Sequence, residues 1–380
     1  MYQEIVNHIR SVFKTDAFIP LHEPKFTGNE KKYVNDAIDS TFVSSVGEYV
    51  DRFEQMICEL TGASFAVAAM NGTSALHVAL RLLDVCQDTE VIAPPLSFVA
   101  TANAIRYCGA NPVFLDVERS SLGLSPKALG DFLEHRSAMG KDGFCYNRHT
   151  GNRIAACVPV HIFGHPCRID EIIGICSQYN IPVVEDAAES LGSLYKGRHT
   201  GTFGKIGIFS FNGNKTVTCG GGGMIVTDDG PLARRAKHLT TTAKVPHPYQ
   251  YMHDEVGYNY RLPNLNAALA CAQLEQLDKF IENKRELAGK YSDFFTKMGI
   301  AFVREPENAR SNYWLNAIIL EDLERRDRFL DFSNRSGVMT RPIWRLMNNL
   351  PMFQHCMTDG LMNASWLEER VVNIPSSVIL

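Results

Sequence analysis

Lys215 stands in Phe209-Ser-Phe-Asn-Gly-Asn-Lys-Thr-Val-Thr-Cys-Gly-Gly-Gly-Gly223, between an apolar run and four consecutive glycines. Glycines let backbone approach a ligand closely. A lysine drawn out of water there has a lowered pKa, and its free amine can attack an aldehyde to form a Schiff base. The alternative is a solvated loop lysine. Asp186 lies in Val-Val-Glu-Asp-Ala-Ala-Glu-Ser at 183–190, where a β-branched run meets adjacent acids. The carboxyl ends of parallel strands are where ligands bind. A carboxylate there can keep a buried pyridine-type nitrogen protonated and make its ring a better electron sink. The alternative is an acid that caps the next helix.

Two further motifs supply anion and ring contacts. Met-Asn-Gly-Thr-Ser-Ala-Leu at 70–76 reads as a strand end, a polar turn and a helix start. Gly72, Thr73 and Ser74 would hold a phosphate at that helix N-terminus; a plain N-cap would look the same. Ser210 is a further hydroxyl for a phosphate. Phe98, in Pro-Pro-Leu-Ser-Phe, follows another apolar run and could stack on a flat ring, or fill the core.

The elements that must position these residues form an alternating pattern. Strands are predicted at 64–69, 90–93, 112–116, 155–161, 182–185, 206–211 and 223–227. Helices are predicted at 74–83, 100–108 and 169–179. Short apolar strands alternating with helices imply a largely parallel sheet covered on both faces. Residues 247–264, rich in Tyr, Pro, His and Asn, read as a structured loop, and helical periodicity from Leu265 extends towards Lys297. Strands near 313–320 and 338–343 flank a helix at 325–336. The division is a large α/β domain over 1–250, including an amphipathic N-terminal helix marked by Ile5, Ile9 and Val12, and a smaller α+β domain over 251–380.

Composition excludes several other classes. The chain has 380 residues and a formal net charge of −4, with no long basic run, which gives no reason to expect nucleic-acid binding. It carries no apolar stretch near the roughly 18 residues of a membrane helix and no signal-peptide pattern. Its ten cysteines include no Cys-x-x-Cys pair, which fits reduced thiols in the cytoplasm. His161 and His165 have metal-like spacing, but Gly164 and Pro166 keep them off one helical face, so no metal is expected. A Gly-x-Gly-x-x-Gly fingerprint is absent from the 70–76 turn, which counts against a nicotinamide enzyme.

Taken in order, Ile-Pro-Leu-His-Glu-Pro from Ile19, Val-Ser-Ser-Val-Gly-Glu-Tyr-Val from Val43, Asn-Gly-Thr-Ser-Ala-Leu, Pro-x-Ser-Phe, Glu-Asp-Ala-Ala, Ser-Phe-Asn-Gly-Asn-Lys, Gly-Tyr-Asn-Tyr-Arg-Leu-Pro-Asn at 257–264 and Asn-Ile-Pro-Ser-Ser from Asn373 resemble the DegT/DnrJ/EryC1/StrS sugar aminotransferases. The resemblance covers nearly the whole chain. It implies the aspartate aminotransferase (type I) fold, pyridoxal 5′-phosphate (PLP, with its amino form PMP) as cofactor, L-glutamate as amino donor and a homodimer with shared sites. It implies that Lys215 holds the cofactor and shuttles a proton, Asp186 pairs with the ring nitrogen and Phe98 stacks on the ring. Glu189 matches a residue near the ring and its phenolic oxygen, where many relatives carry Gln or His. Thr73, Ser74 and Ser210 match phosphate contacts. Asn259 matches an asparagine that reaches the neighbouring subunit's phosphate.

Asn-Gly-Asn-Lys and the Asn-Ile-Pro-Ser-Ser ending are similar to enzymes that aminate C4 of UDP-2-acetamido-4-keto-2,4,6-trideoxyglucose. Ser44, Ser45, Tyr258, Tyr260 and Arg261 are candidate substrate contacts; loop packing is the alternative for each. Other readings are amination of a dTDP- or GDP-linked keto-sugar, a dehydratase of the same fold, and a non-catalytic sugar-nucleotide regulator. The retained Lys215 argues against the dehydratase, in which a histidine replaces the lysine. Two departures stand out. The chain stops at Leu380, where relatives usually continue into a final helix, which leaves the packing of the small domain open. Cys219 replaces a common Thr.

Overall fold

The structure, a computed structural model, describes residues 1–380. Its centre is a seven-strand arrangement. Phe65–Ala69, Gly223–Thr227, Ile206–Ser210 and Val184–Asp186 form one hydrogen-bonded sheet. Arg153–Cys157, Thr89–Ala93 and Asn111–Phe114 continue it in a second, through parallel bridges Cys157–Val183 and Val160–Asp186. All these pairings are parallel except those of Gly223–Thr227, which runs antiparallel to both neighbours. A parallel neighbour needs a crossover connection; the loop between Ser210 and Gly223 simply doubles back, so that pair is antiparallel. The strand expected over 155–161 is regular at Arg153–Cys157; beyond it Pro159 has no N–H for the ladder, and the chain stays beside its neighbours through the Val158 N–H to Ile92 O and the bridge Val160–Asp186.

Both faces are covered. The helix Gly72–Leu82 is capped by Asn71, whose side chain accepts the Ser74 N–H at 2.8 Å. It is buried nearly all round, since the sheet lies on one side and Ala100–Tyr107 on the other. On the opposite face, Phe53 of Glu48–Thr61 meets Phe211 edge to face at 4.9 Å. The helix expected to begin at 74 starts two residues earlier, because a cap needs only a polar side chain and an extended backbone.

The continuous helix expected from Leu265 is two, Asn264–Leu274 and Leu277–Lys297. The second joins the halves of the molecule: Leu277, Phe280 and Ile281 pack with Phe53 and Phe211, while Leu287, Tyr291 and Phe295 pack with Ile318, Phe329 and Val372. That latter cluster also takes Ile5, Val6 and Ile9 of Tyr2–Phe13. The N-terminal helix, grouped by the sequence reading with residues 1–250, thus lies against residues 251–380. Its amphipathic period was visible in the sequence; the partner of its apolar face was not.

Val371–Ile374 is central in a four-stranded antiparallel sheet with Asn316–Ile319, Ala301–Phe302 and Arg341–Pro342. Ser376 and Val378 are buried beyond it, so the C-terminal segment is packed into the molecule.

Candidate active site

Lys215 is placed by a loop that closes on Phe211. The Phe211 N–H donates to Gly222 O at 2.8 Å, and the Cys219 N–H donates to Phe211 O at 3.0 Å. Within it a turn from Asn212 O to the Lys215 N–H, 3.0 Å, sets the lysine's direction. Cys219 has a structural role here. It is buried, donates to Gly221 O and sits where a Cβ on Gly222 would come within 2.5 Å of its sulfur. That glycine is therefore needed for the loop to close.

The Lys215 side chain is 14% exposed and reaches a cavity of about 430 Å³. This excludes a solvated loop lysine. Gly72, Thr73, Phe98, Asp186, Glu189 and Ser210 line the same cavity, so one space gathers residues spread over 144 positions, 72 to 215. Phe98 is 56% exposed, which excludes a core role. Ser74 is buried and is not among the lining residues; its N–H serves the Asn71 cap.

Electrostatics differ from group to group. Burial pushes the Asp186 carboxyl up, opposed by the Thr101 hydroxyl at 2.8 Å, the Ala188 N–H at 3.2 Å and the charge of Lys215. No helix begins directly after Asp186, so its bond to Ala188 closes a turn rather than capping a helix. Burial lowers the Lys215 amine, while Glu189 and Asp186 pull it back up. Burial raises Glu189 to about 7, against the Lys215 charge and the Phe163 N–H that its Oε2 accepts at 2.8 Å. Glu189 Oε1 is 3.8 Å from Lys215 Nζ, and the Trp314 ring covers that nitrogen at 3.9 Å. The Trp314 indole is fixed by its own N–H to Asn214 O at 2.7 Å.

Thr101, Asn71, Trp314 and Trp344 escaped the sequence reading. Thr101 lies in the first turn of Ala100–Tyr107, directly after the Pro-Pro-Leu-Ser-Phe motif, so its place at a helix start was the available signal. Trp314 comes from the far part of the chain, and no local pattern marks it.

Six other expected residues lie outside this chain's cavity. Tyr258 and Tyr260 stack on each other at 5.1 Å and pack edge-on against His77. Ser45 and Arg261 line a separate cleft of about 230 Å³ with Lys237 and Thr240. Ser44 is tied by its carbonyl to the Asn264 N–H, and Asn259 bridges to Thr241. None of these six lines the Lys215 cavity of its own chain, although Arg261 bridges to Ala69 at the strand end that leads into Asn71; Asn259 is expected at the neighbouring subunit's phosphate, not at this one. His161 and His165 do not converge either. His161 Nδ1 accepts the Cys167 N–H at 3.2 Å, so its Nε2 donates to Glu185 at 3.0 Å. His165 packs against Tyr313.

The residues present fit a phosphorylated pyridine aldehyde. A Cβ at position 72 would lie 2.9 Å from Ser210 Cβ, so only glycine lets these two segments meet at the helix start. The first N–H groups of a helix have no partner within it and suit a phosphate beside Thr73 and Ser210. A carboxylate, an amine and an exposed aromatic at the same cavity match a ring nitrogen, an aldehyde and a ring face.

Comparison with known proteins agrees. The DegT/DnrJ/EryC1/StrS aminotransferase family matches residues 24–380. GDP-perosamine synthase of Escherichia coli O157:H7 is 36% identical over 364 residues, covering 94% of this chain and 93% of that protein. The aminotransferase TlmJ of Streptoalloteichus hindustanus superposes with a TM-score of 0.85 at 25% identity, over 95% of this chain and 94% of its own. Spr1654 of Streptococcus pneumoniae, solved in a PLP form, shares the fold at a TM-score of 0.85 and 20% identity, over 96% of this chain and 94% of its own. The fold is that of the aspartate aminotransferase class, and the cofactor is pyridoxal 5′-phosphate. The chain belongs to the DegT/DnrJ/EryC1/StrS family and is a PLP-dependent sugar aminotransferase.

Proposed function

We propose that the chain moves the amino group of L-glutamate to C4 of a nucleotide-linked 4-keto-6-deoxy sugar, with Lys215 and Asp186 as its catalytic residues. The observation that carries this is the opening of Lys215, Asp186 and the Gly72–Thr73 helix start into one cavity. When bound, PLP supplies an electron-accepting ring on which amino groups are exchanged. Asp186 holds a proton at the ring nitrogen, and the Thr101 hydroxyl keeps that carboxylate charged and aimed. Thr73, Ser210 and the helix N–H groups hold the phosphate. Phe98 supports the ring face. Lys215 Nζ would hold the cofactor through its aldehyde group and, as a free amine, would be the base placed to move protons on that side of the site.

The cavity of one chain offers Lys215 as its only cation, although the proposed substrates carry carboxylates and phosphates. Exposed Phe42, Val46, Tyr249, Tyr251 and Val256 form apolar surface on the same chain. Both features support a homodimer in which Asn259 and Arg261 serve the neighbouring copy. Ten free cysteines support a reducing, cytoplasmic setting, and no helix is long and apolar enough to cross a membrane.

The Asn-Gly-Asn-Lys motif and the Asn-Ile-Pro-Ser-Ser ending support UDP-2-acetamido-4-keto-2,4,6-trideoxyglucose as acceptor. The GDP-perosamine synthases among the relatives support a GDP-linked 4-keto sugar instead. The deciding experiment incubates the holoenzyme with glutamate and UDP-, GDP- and dTDP-linked 4-keto sugars and weighs the products by mass spectrometry. One aminated nucleotide sugar names the acceptor. No amination from any of them, with the cofactor shown to be bound, sinks the reading.

A further inference from the structure

Glu189 is a buried acid beside the lysine of the site. Its carboxylate is 4% exposed, and the Phe163 N–H fixes Oε2, which leaves Oε1 turned towards Lys215 Nζ at 3.8 Å. The Trp314 ring closes the other side of that nitrogen at 3.9 Å. The pair is therefore an acid and a base facing each other at the wall of the cavity, with the Trp314 ring beside the amine.

We infer that Glu189 is a catalytic residue of this enzyme, the acceptor that takes the proton from the Lys215 ammonium and so frees its amine. The inference rests on the reading of Lys215 as the amine that meets the aldehyde. The step balances within the chain. One N–H bond of the ammonium breaks, one O–H bond forms at Glu189 Oε1, and two opposite charges become two neutral groups. In low dielectric this exchange removes both desolvation penalties together. A glutamine in the same place offers no such acceptor, and the proton would have to leave for bulk solvent. Burial raises the acid towards neutrality and lowers the amine, the directions that bring the two proton affinities together. Asp186 is the other charged group facing the pair. His22 senses Lys215 from the 19–25 segment, and Lys284 senses His22 from behind Trp314.

A shared proton has a signature that a mere ion pair or packing contact lacks. Between the two titrations of the pair, the neutral form is a constant fraction, so amine reactivity is flat with pH. A lone lysine below its pKa gains reactivity about tenfold per pH unit. The experiment uses the cofactor-free chain and trinitrobenzenesulfonate, with the adduct at position 215 quantified by mass spectrometry across the pH range. Wild type should show a plateau about neutrality. Glu189→Gln, of the same shape, should show a single tenfold-per-unit rise that levels off only once, without the intermediate plateau followed by a second rise. A wild-type profile that climbs tenfold per unit throughout, or profiles of one shape in both proteins, overturns the inference. Borohydride trapping of PLP on residue 215 tests the parent reading separately. A trapped adduct beside a sloping wild-type profile removes Glu189 from this role and leaves Lys215 in place.

Discussion

Lys215 and Lys284 are both buried, yet their surroundings differ. Lys215 has a cavity, two acids and an aromatic ring around its nitrogen. Lys284 has neither cavity nor acid. Its Nζ donates to the carbonyls of Trp314, at 3.2 Å, and Ser376, and burial lowers its pKa to about 7. Desolvation alone therefore does not make a lysine reactive. What separates the two is an opening large enough for a partner and acids that stabilise the ammonium or take its proton. Lys284 ties the turn that carries Trp314 to the C-terminal segment, and it touches Lys215 only through the tryptophan.

The comparison breaks most sharply with Lys215→Ala. Turnover should fall by at least about 10³-fold, in line with loss of a positioned nucleophile and base. Lys284→Met should keep turnover within about tenfold in the same steady-state assay. Equal losses in the two variants would erase the distinction. Asp186→Asn comes next. It removes the charge meant for the ring nitrogen and should lower kcat by about 10²–10³-fold, while PLP stays attached to residue 215 by mass spectrometry.

Thr101→Val has a smaller effect and tests the Asp186 environment. Thr101 stabilises the carboxylate, so its loss pushes that pKa further up. Activity that needs a charged Asp186 disappears as pH falls through that pKa. The acid limb of the kcat profile should therefore move to higher pH, by about 1–2 units; an unmoved limb would separate Asp186 from the rate.

The smallest effect on turnover belongs to Lys284, where the readout is stability. Between about 7 and its ordinary 10.5, the folded chain holds fewer protons on this group than the unfolded chain. Stability attributable to Lys284 then rises with pH across that window, and below about 7 the full cost of a buried charge remains. The stability of wild type relative to Lys284→Met should improve from pH 7 to 10, by on the order of a few kcal/mol. Denaturant melts at several pH values would show it, and a constant gap would mean that Lys284 stays charged in the fold.

Local sequence carried the residues of the site but not its walls. The lysine loop, the acid at a strand end, the Gly72–Thr73 turn and the Phe98 motif each have a short-range signature, because turns and strand ends depend on neighbours within a few residues. Strand 223–227 was legible to the residue, since a β-branched run after glycines has few alternatives. The break at Glu275–Gln276 was not, because apolar periodicity continues across it.

The order of motifs along the chain determined the fold class and the cofactor, and pointed to the two residues, Lys215 and Asp186, that line one cavity. Tertiary structure alone decided that Trp314 roofs the lysine, that Thr101 holds the acid, that Tyr258 and Tyr260 pack on His77 and that the first helix lies against the last third of the chain. These contacts join residues tens to hundreds of positions apart. They are set by which apolar faces meet once the sheet has formed, and hydrophobic burial has no direction that a local pattern could record.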